Sequence, residues 1–171
     1  DVDSQGLSRL VGGISKKFDK ESDVYNERFL FVVNQCDRRQ FTPQKTTTDF
    51  INRYRKKLKE LTGNPSFMPR IFPLCAAVPG ALYAKDESCG NGIVSFNDYI
   101  YGADIGLSFM KRHIDPNLYY YFARYCDVPQ YKKDLYEAKF NKIKESDNGG
   151  ALLIQSGFVC LEDAIKDYIE R

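Results

Sequence analysis

Apolar positions recur along this chain at two different spacings. In residues 6–19, Leu7, Leu10, Val11, Ile14 and Phe18 fall at helical intervals and predict an amphipathic helix with one core-facing stripe. After a polar loop at 19–27, residues 29–37 read FLFVVNQCD, five apolar residues without alternation followed by Asn34 and Asp37. An uninterrupted run of this length suits a parallel strand covered on both faces. Thr42-Pro43 predicts the next helix start, because Thr can cap and Pro suits the first turn. Phe50, Ile51, Tyr54, Leu58 and Leu61 share one face of that helix, with basic residues Arg53, Arg55, Lys56, Lys57 and Lys59 around the rest. Such a basic face needs no partner if solvated. Thr62-Gly63-Asn64-Pro65 ends the helix. RIFPLCAA at 70–77 reads as a second buried strand, with Pro73 placing it near an edge or a bulge. Strand, helix and strand in this order form a βαβ unit, hence a parallel sheet and an α/β fold.

The rest of the chain reads as mostly helical. Residues 78–92 are a Gly-rich polar loop, Ser95 caps a helix through 96–112, and Asp115-Pro116 opens another into NLYYYFARYC. A further helix covers 130–145, and Asp147-Asn148-Gly149-Gly150 ends it as a turn. Phe158, Leu161, Ile165 and Tyr168 mark one face of a terminal helix. Residues 1–171 therefore form one domain, or most of one, with a mostly helical insert at 85–148.

Composition narrows the function classes. A chain of 171 residues that is 43% hydrophobic can bury one ordinary core. The net charge of +2 calls for neither nucleic acid nor an anionic membrane surface. Five cysteines without a C-x-x-C pair argue against a disulfide framework or a zinc ribbon and suit reduced thiols in a cytoplasmic protein. His113 is the only histidine, so no two-histidine metal site exists, and no metal ligand is expected. His113 with Cys126 could suggest a thiol protease pair, but both lie in ordinary helical surroundings. No apolar run approaches the ~18 residues of a membrane helix. The chain opens on Asp1 rather than Met, and we expect it to be a piece of a longer protein or a processed product.

The end of the first strand carries the chemistry. In an open parallel sheet, ligands bind beyond the carboxyl ends of the strands, which is where Asn34 and Asp37 fall. Guanine offers two adjacent donors, its ring N1–H and its exocyclic amine, and one carboxylate accepts both. Adenine presents a lone pair there instead, so the same carboxylate rejects it by leaving a polar group unpaired. Asn34 carries a donor and an acceptor, enough to reach the base's N7 and to tie neighbouring loops. The plainer alternative is that Asn and Asp follow strands because they form local turns with their own backbone.

N-[KQ]-x-D after one strand, with a small Ser-Ala-like step after the next, is the paired guanine signature of the GTPase fold. FLFVVNQCD, RIFPLCAA and the late LLIQSGFVCLEDAIKDYI resemble the C-terminal half of the GTPase domain of dynamin-like proteins, particularly bacterial ones. The resemblance covers about 1–77 and 151–171. It implies a partial P-loop-GTPase-like sheet, with the sheet's last strand ending at the Ser-Gly step. It also implies a guanine site formed by Asn34, Gln35, Asp37, Cys75 and Ala76, the last lending its backbone amide. Gln35 stands where the family has Lys, and Cys75 where it has Ser. No G-x-x-x-x-G-K-[ST] occurs in the chain. It should therefore hold no catalytic residue and hydrolyse nothing alone. On this reading GTP or GDP is the ligand, and Mg²⁺ enters only with a missing N-terminal half. The partners are that half or a second copy, and a membrane is reached only through the parent protein; no nucleic acid is expected. The alternative is a degenerate GTPase-like scaffold that hydrolyses no nucleotide.

Overall fold

A computed structural model describes residues 9, 11–13, 29–83 and 119–170; the helix expected at 96–112 and most of the segment expected at 6–19 lie outside them. Residues 11–13 are helical, and Val11 is buried. Two strands, β1 (Leu30–Val33) and β2 (Arg70–Pro73), pair in parallel, with Leu30 opposite Arg70 and Val33 opposite Pro73. Between them runs α1 (Thr47–Thr62). The expected βαβ unit is present, and the described chain is a mixed helix-and-strand α/β fold.

Helix α1 does not start at Thr42-Pro43. Those residues form a tight turn in which Thr42 and Lys45 exchange backbone hydrogen bonds of 3.2 and 2.9 Å. The helix starts after Thr46, whose hydroxyl accepts from the Asp49 amide at 3.1 Å, while the Asp49 carboxylate accepts from the Thr46 amide at 3.0 Å. This reciprocal capping box satisfies two otherwise orphaned donors, a stronger start signal than Thr-Pro. At the other end Gly63 adopts φ 63°, the left-handed C-cap that the Thr-Gly-Asn-Pro run predicts.

After β2 come α2 (Ala77–Tyr83), a 3-10 turn over Phe122–Tyr125, and then α3 (Gln130–Ile143), α4 (Asn148–Gln155) and α5 (Phe158–Ile169). Three readings of the sequence change here, the first being that residues 78–83 of the loop expected at 78–92 are helical, in α2. The aromatic run carries a single 3-10 turn over its described part, because its side chains are drawn to both sides of the sheet. Asp147-Asn148-Gly149-Gly150 does not simply end α3. Asp147 caps α4, its carboxylate accepting from the Gly150 amide at 2.9 Å.

The sheet separates two cores. Val33 and Ile71 pack with Phe50, Ile51 and Leu58 of α1, and Phe31 lies against them. Phe72 and Leu74 pack on the other side with Tyr136 and Phe140 of α3, Ile154 of α4 and Cys160 of α5. Alternation along the strands sends successive residues to opposite cores. Coverage of β1 is incomplete among the described residues: Val32 is 48% exposed, so this strand is not enclosed on both faces as its composition suggests. The buried stripe of α5 also differs from expectation. Cys160 and Ala164 face the core, whereas Ile165 and Tyr168 lie outside. The Cys160 thiol packs 3.8 Å from the Ala123 carbonyl.

Candidate functional site at the strand ends

β1 and β2 stay bonded past their last paired residues. The Leu74 amide donates to the Val33 carbonyl at 2.8 Å, and the Cys36 amide donates to Leu74 at 3.0 Å. The chain must then turn sharply, and Gln35 does so with φ 57° and ψ 33°. This left-handed conformation is uncommon for a residue other than Gly, Asn or Asp and carries a strain of about 1–3 kcal/mol. A 3-10 turn over Cys36–Arg38 follows. The Cys36 thiol folds back onto the Val33 carbonyl at 3.0 Å, and burial pushes its pKa up to about 12.

Asn34 joins the two strand ends. Its Oδ1 accepts from the Gln35 amide at 2.7 Å and from the Ala76 amide at 3.0 Å, 42 residues away. Asn34 and Gln35 are exposed, Ala76 is partly buried and Cys75 is fully buried. Asp37 is only 7% exposed. Its carboxylate sits beside the Cys75 thiol. Burial first, then the neighbouring Asp37 carboxylate, raise the thiol's pKa well above its ordinary value. Tyr120 closes the inner side. Its hydroxyl donates to the Arg39 carbonyl at 2.9 Å and accepts from the Phe41 amide at 3.3 Å. Burial raises its pKa as well, and the Asp37 charge adds to the effect.

All five residues singled out from the sequence therefore gather at one end of the sheet. The rim is turned inward: Ala76 spends its amide on Asn34, and Asp37 is buried beside the Cys75 thiol. The Ser156-Gly157 step comes to the same end, since the Cys75 amide donates to the Ser156 carbonyl at 3.1 Å. The step does not close a strand as the resemblance implies: residues 148–155 before it are the helix α4. Leu152 and Ile154 of that helix are buried in opposite cores, which a helix across the sheet end satisfies as well as a strand does.

Sequence reasoning missed Tyr120, which lies 79 residues from Phe41 and carried no motif. It also missed Asp127. The Asp127 amide donates to the Ile71 carbonyl at 3.0 Å, its carboxylate accepts from the Ile71 amide at 2.7 Å, and Arg55 bonds the second carboxylate oxygen at 2.5 Å. One residue thus covers the outer edge of β2 at Ile71, and Arg55 faces a partner rather than solvent. Among the described residues no three side chains gather that could hold a metal ion, and no helix is long and apolar enough to cross a membrane. Comparison with known proteins finds no family model, no curated protein and no solved structure that matches the chain.

Proposed function

We propose that this chain is the guanine-recognition half of a dynamin-like GTPase domain, whose intact parent binds and hydrolyses GTP. The observation that carries the reading is the hydrogen bond from the Ala76 amide to Asn34 Oδ1. It ties the N-x-x-D loop to the small-residue step at the carboxyl ends of two adjacent parallel strands, the place where open α/β sheets take nucleotides. Asp37 supplies the acceptor pair for the guanine N1–H and amine. A base entering this rim exchanges two internal contacts for its own: Ala76 turns its amide from Asn34 to the guanine O6, and Asp37 releases the Cys75 thiol. The Ala76 exchange replaces one hydrogen bond by another and so has a small net cost. Phosphate and Mg²⁺ binding, and any part in membrane remodelling, belong to the parent protein.

A second reading is favoured by the burial of Asp37 beside the Cys75 thiol. Here the rim is a degenerate base site, held shut, in a GTPase-like scaffold or interaction module without nucleotide hydrolysis.

The test is Asp37→Asn in the full-length parent, with guanosine and xanthosine nucleotides compared in a competition binding assay. The amide presents a donor where the carboxylate accepted, so preference should move from guanosine to xanthosine by at least about tenfold. Unchanged base preference removes the first reading, and no binding of either nucleotide by the unaltered protein establishes the second.

A further inference from the structure

A cleft of about 170 Å³ opens away from the strand ends, between the outer face of α1, the 3-10 turn and the start of α3. Thr48 and Arg55 line it from α1, Arg124 and Tyr125 from the turn, Lys133 from α3, and Asp127 from the connection between them. Three cations therefore meet one carboxylate. Asp127 is committed to Arg55 and to the Ile71 amide. Arg124 reaches Glu137 at 3.1 Å, through an ion pair that is nearly half exposed on both sides and so weak. No carboxylate of the described residues comes within ion-pair distance of Lys133. The Arg55 fork is itself unevenly satisfied, its Nε buried without an acceptor.

We infer that this cleft binds the phosphate of a small phosphate monoester. The lining carries a formal charge of +2, matching the −1.5 to −2 or so of a phosphate monoester near neutral pH. Guanidinium forks fit phosphate oxygens two at a time, and Lys133 adds a movable point charge. The volume suits a small ligand, since pockets for drug-sized molecules span roughly 300–1,000 Å³. The cleft thus holds one phosphate and a short stem. This inference is independent of the base reading at Asn34 and Asp37.

The experiment titrates the chain, observed by two-dimensional NMR, with inorganic phosphate and with O-phosphoserine, at constant ionic strength. Saturable shifts should centre on Arg55, Arg124 and Lys133, and affinity should fall as pH drops below about 6, where phosphate loses its second charge. Lys133→Ala and Arg124→Ala should each weaken binding about tenfold, the loss of one charge-assisted contact. Lys142→Ala, the same charge change on an exposed position of α3, and Asp37→Asn should leave it unchanged. Lys133→Gln repeats the test if Lys133→Ala fails to fold. Non-saturating shifts, or equal losses in Lys142→Ala and Lys133→Ala, overturn the site. A phosphoserine peptide that binds over tenfold more tightly than O-phosphoserine overturns the small-ligand assignment in favour of a protein partner.

Discussion

Gly157 shows how closely the helical side of the molecule approaches the sheet. Its φ of 79° is the left-handed region, and a Cβ at that position would lie 2.6 Å from the Pro73 carbonyl oxygen. Neither a backbone carbonyl nor a strand end can give way cheaply. Gly157→Ala should therefore destabilise the chain by more than about 1 kcal/mol, read as a lower urea midpoint at unchanged m-value. Gln35 is the contrasting case, a side chain held in left-handed backbone where glycine would fit without strain. Its amide is fixed by Asn34, so the conformation is imposed by the same side chain that joins the strand ends.

Helix α1 depends on its capping box more than on its basic composition. Thr46→Ala removes the acceptor of the Asp49 amide and one donor to the Asp49 carboxylate, and should lower stability by about 1 kcal/mol at neutral pH. The Thr46 hydroxyl and amide hold the Asp49 carboxyl below its ordinary value of 3.8. A lowered folded-state pKa gives stability that is present above 3.8 and lost as pH falls through the folded value. The gap between Thr46→Ala and the unaltered chain should accordingly narrow in urea titrations at acid pH. On α5 the exposed Ile165 and Tyr168 obey helical spacing as well as the buried pair does. Periodicity identifies a stripe, but packing against the second core decides that Cys160 and Ala164 face inward.

Across the whole molecule, Asp127 joins elements that sequence order keeps apart. Its carboxylate serves the β2 amide of Ile71 and the Arg55 guanidinium of α1, and its carbonyl accepts from Arg70 Nε at 3.0 Å. Asp127→Ala leaves the Ile71 amide without its acceptor and Arg55 without its counter-charge. The expected loss is about 2–3 kcal/mol in chemical denaturation, with accelerated amide exchange at Ile71. Asp127→Asn, which keeps an acceptor for Ile71, should recover part of it. Exchange at Ile71 as slow as in the unaltered chain would show that the edge is closed by something else.

Both strands, the end of α1, and the extents of α3 and α5 could be read from the chain. Each is written locally, in apolar runs, in spacing, and in breakers such as Gly63. The parallel pairing followed from the uninterrupted apolar run and the length of the crossover. Contacts over long separations could not be read: Asn34 to Ala76, Thr47 to the Tyr119 carbonyl 72 residues on, and Arg55 to Asp127. Nor could the inward turn of Asp37, because exposure depends on which side chains arrive from elsewhere, here Cys75 and Tyr120. Local backbone preferences and periodic burial act between neighbours, so amino-acid order settles the two strands, the end of α1 and the extents of α3 and α5. A hydrogen bond between distant segments exists only once packing has brought them together, so the folded molecule alone decides which polar groups meet.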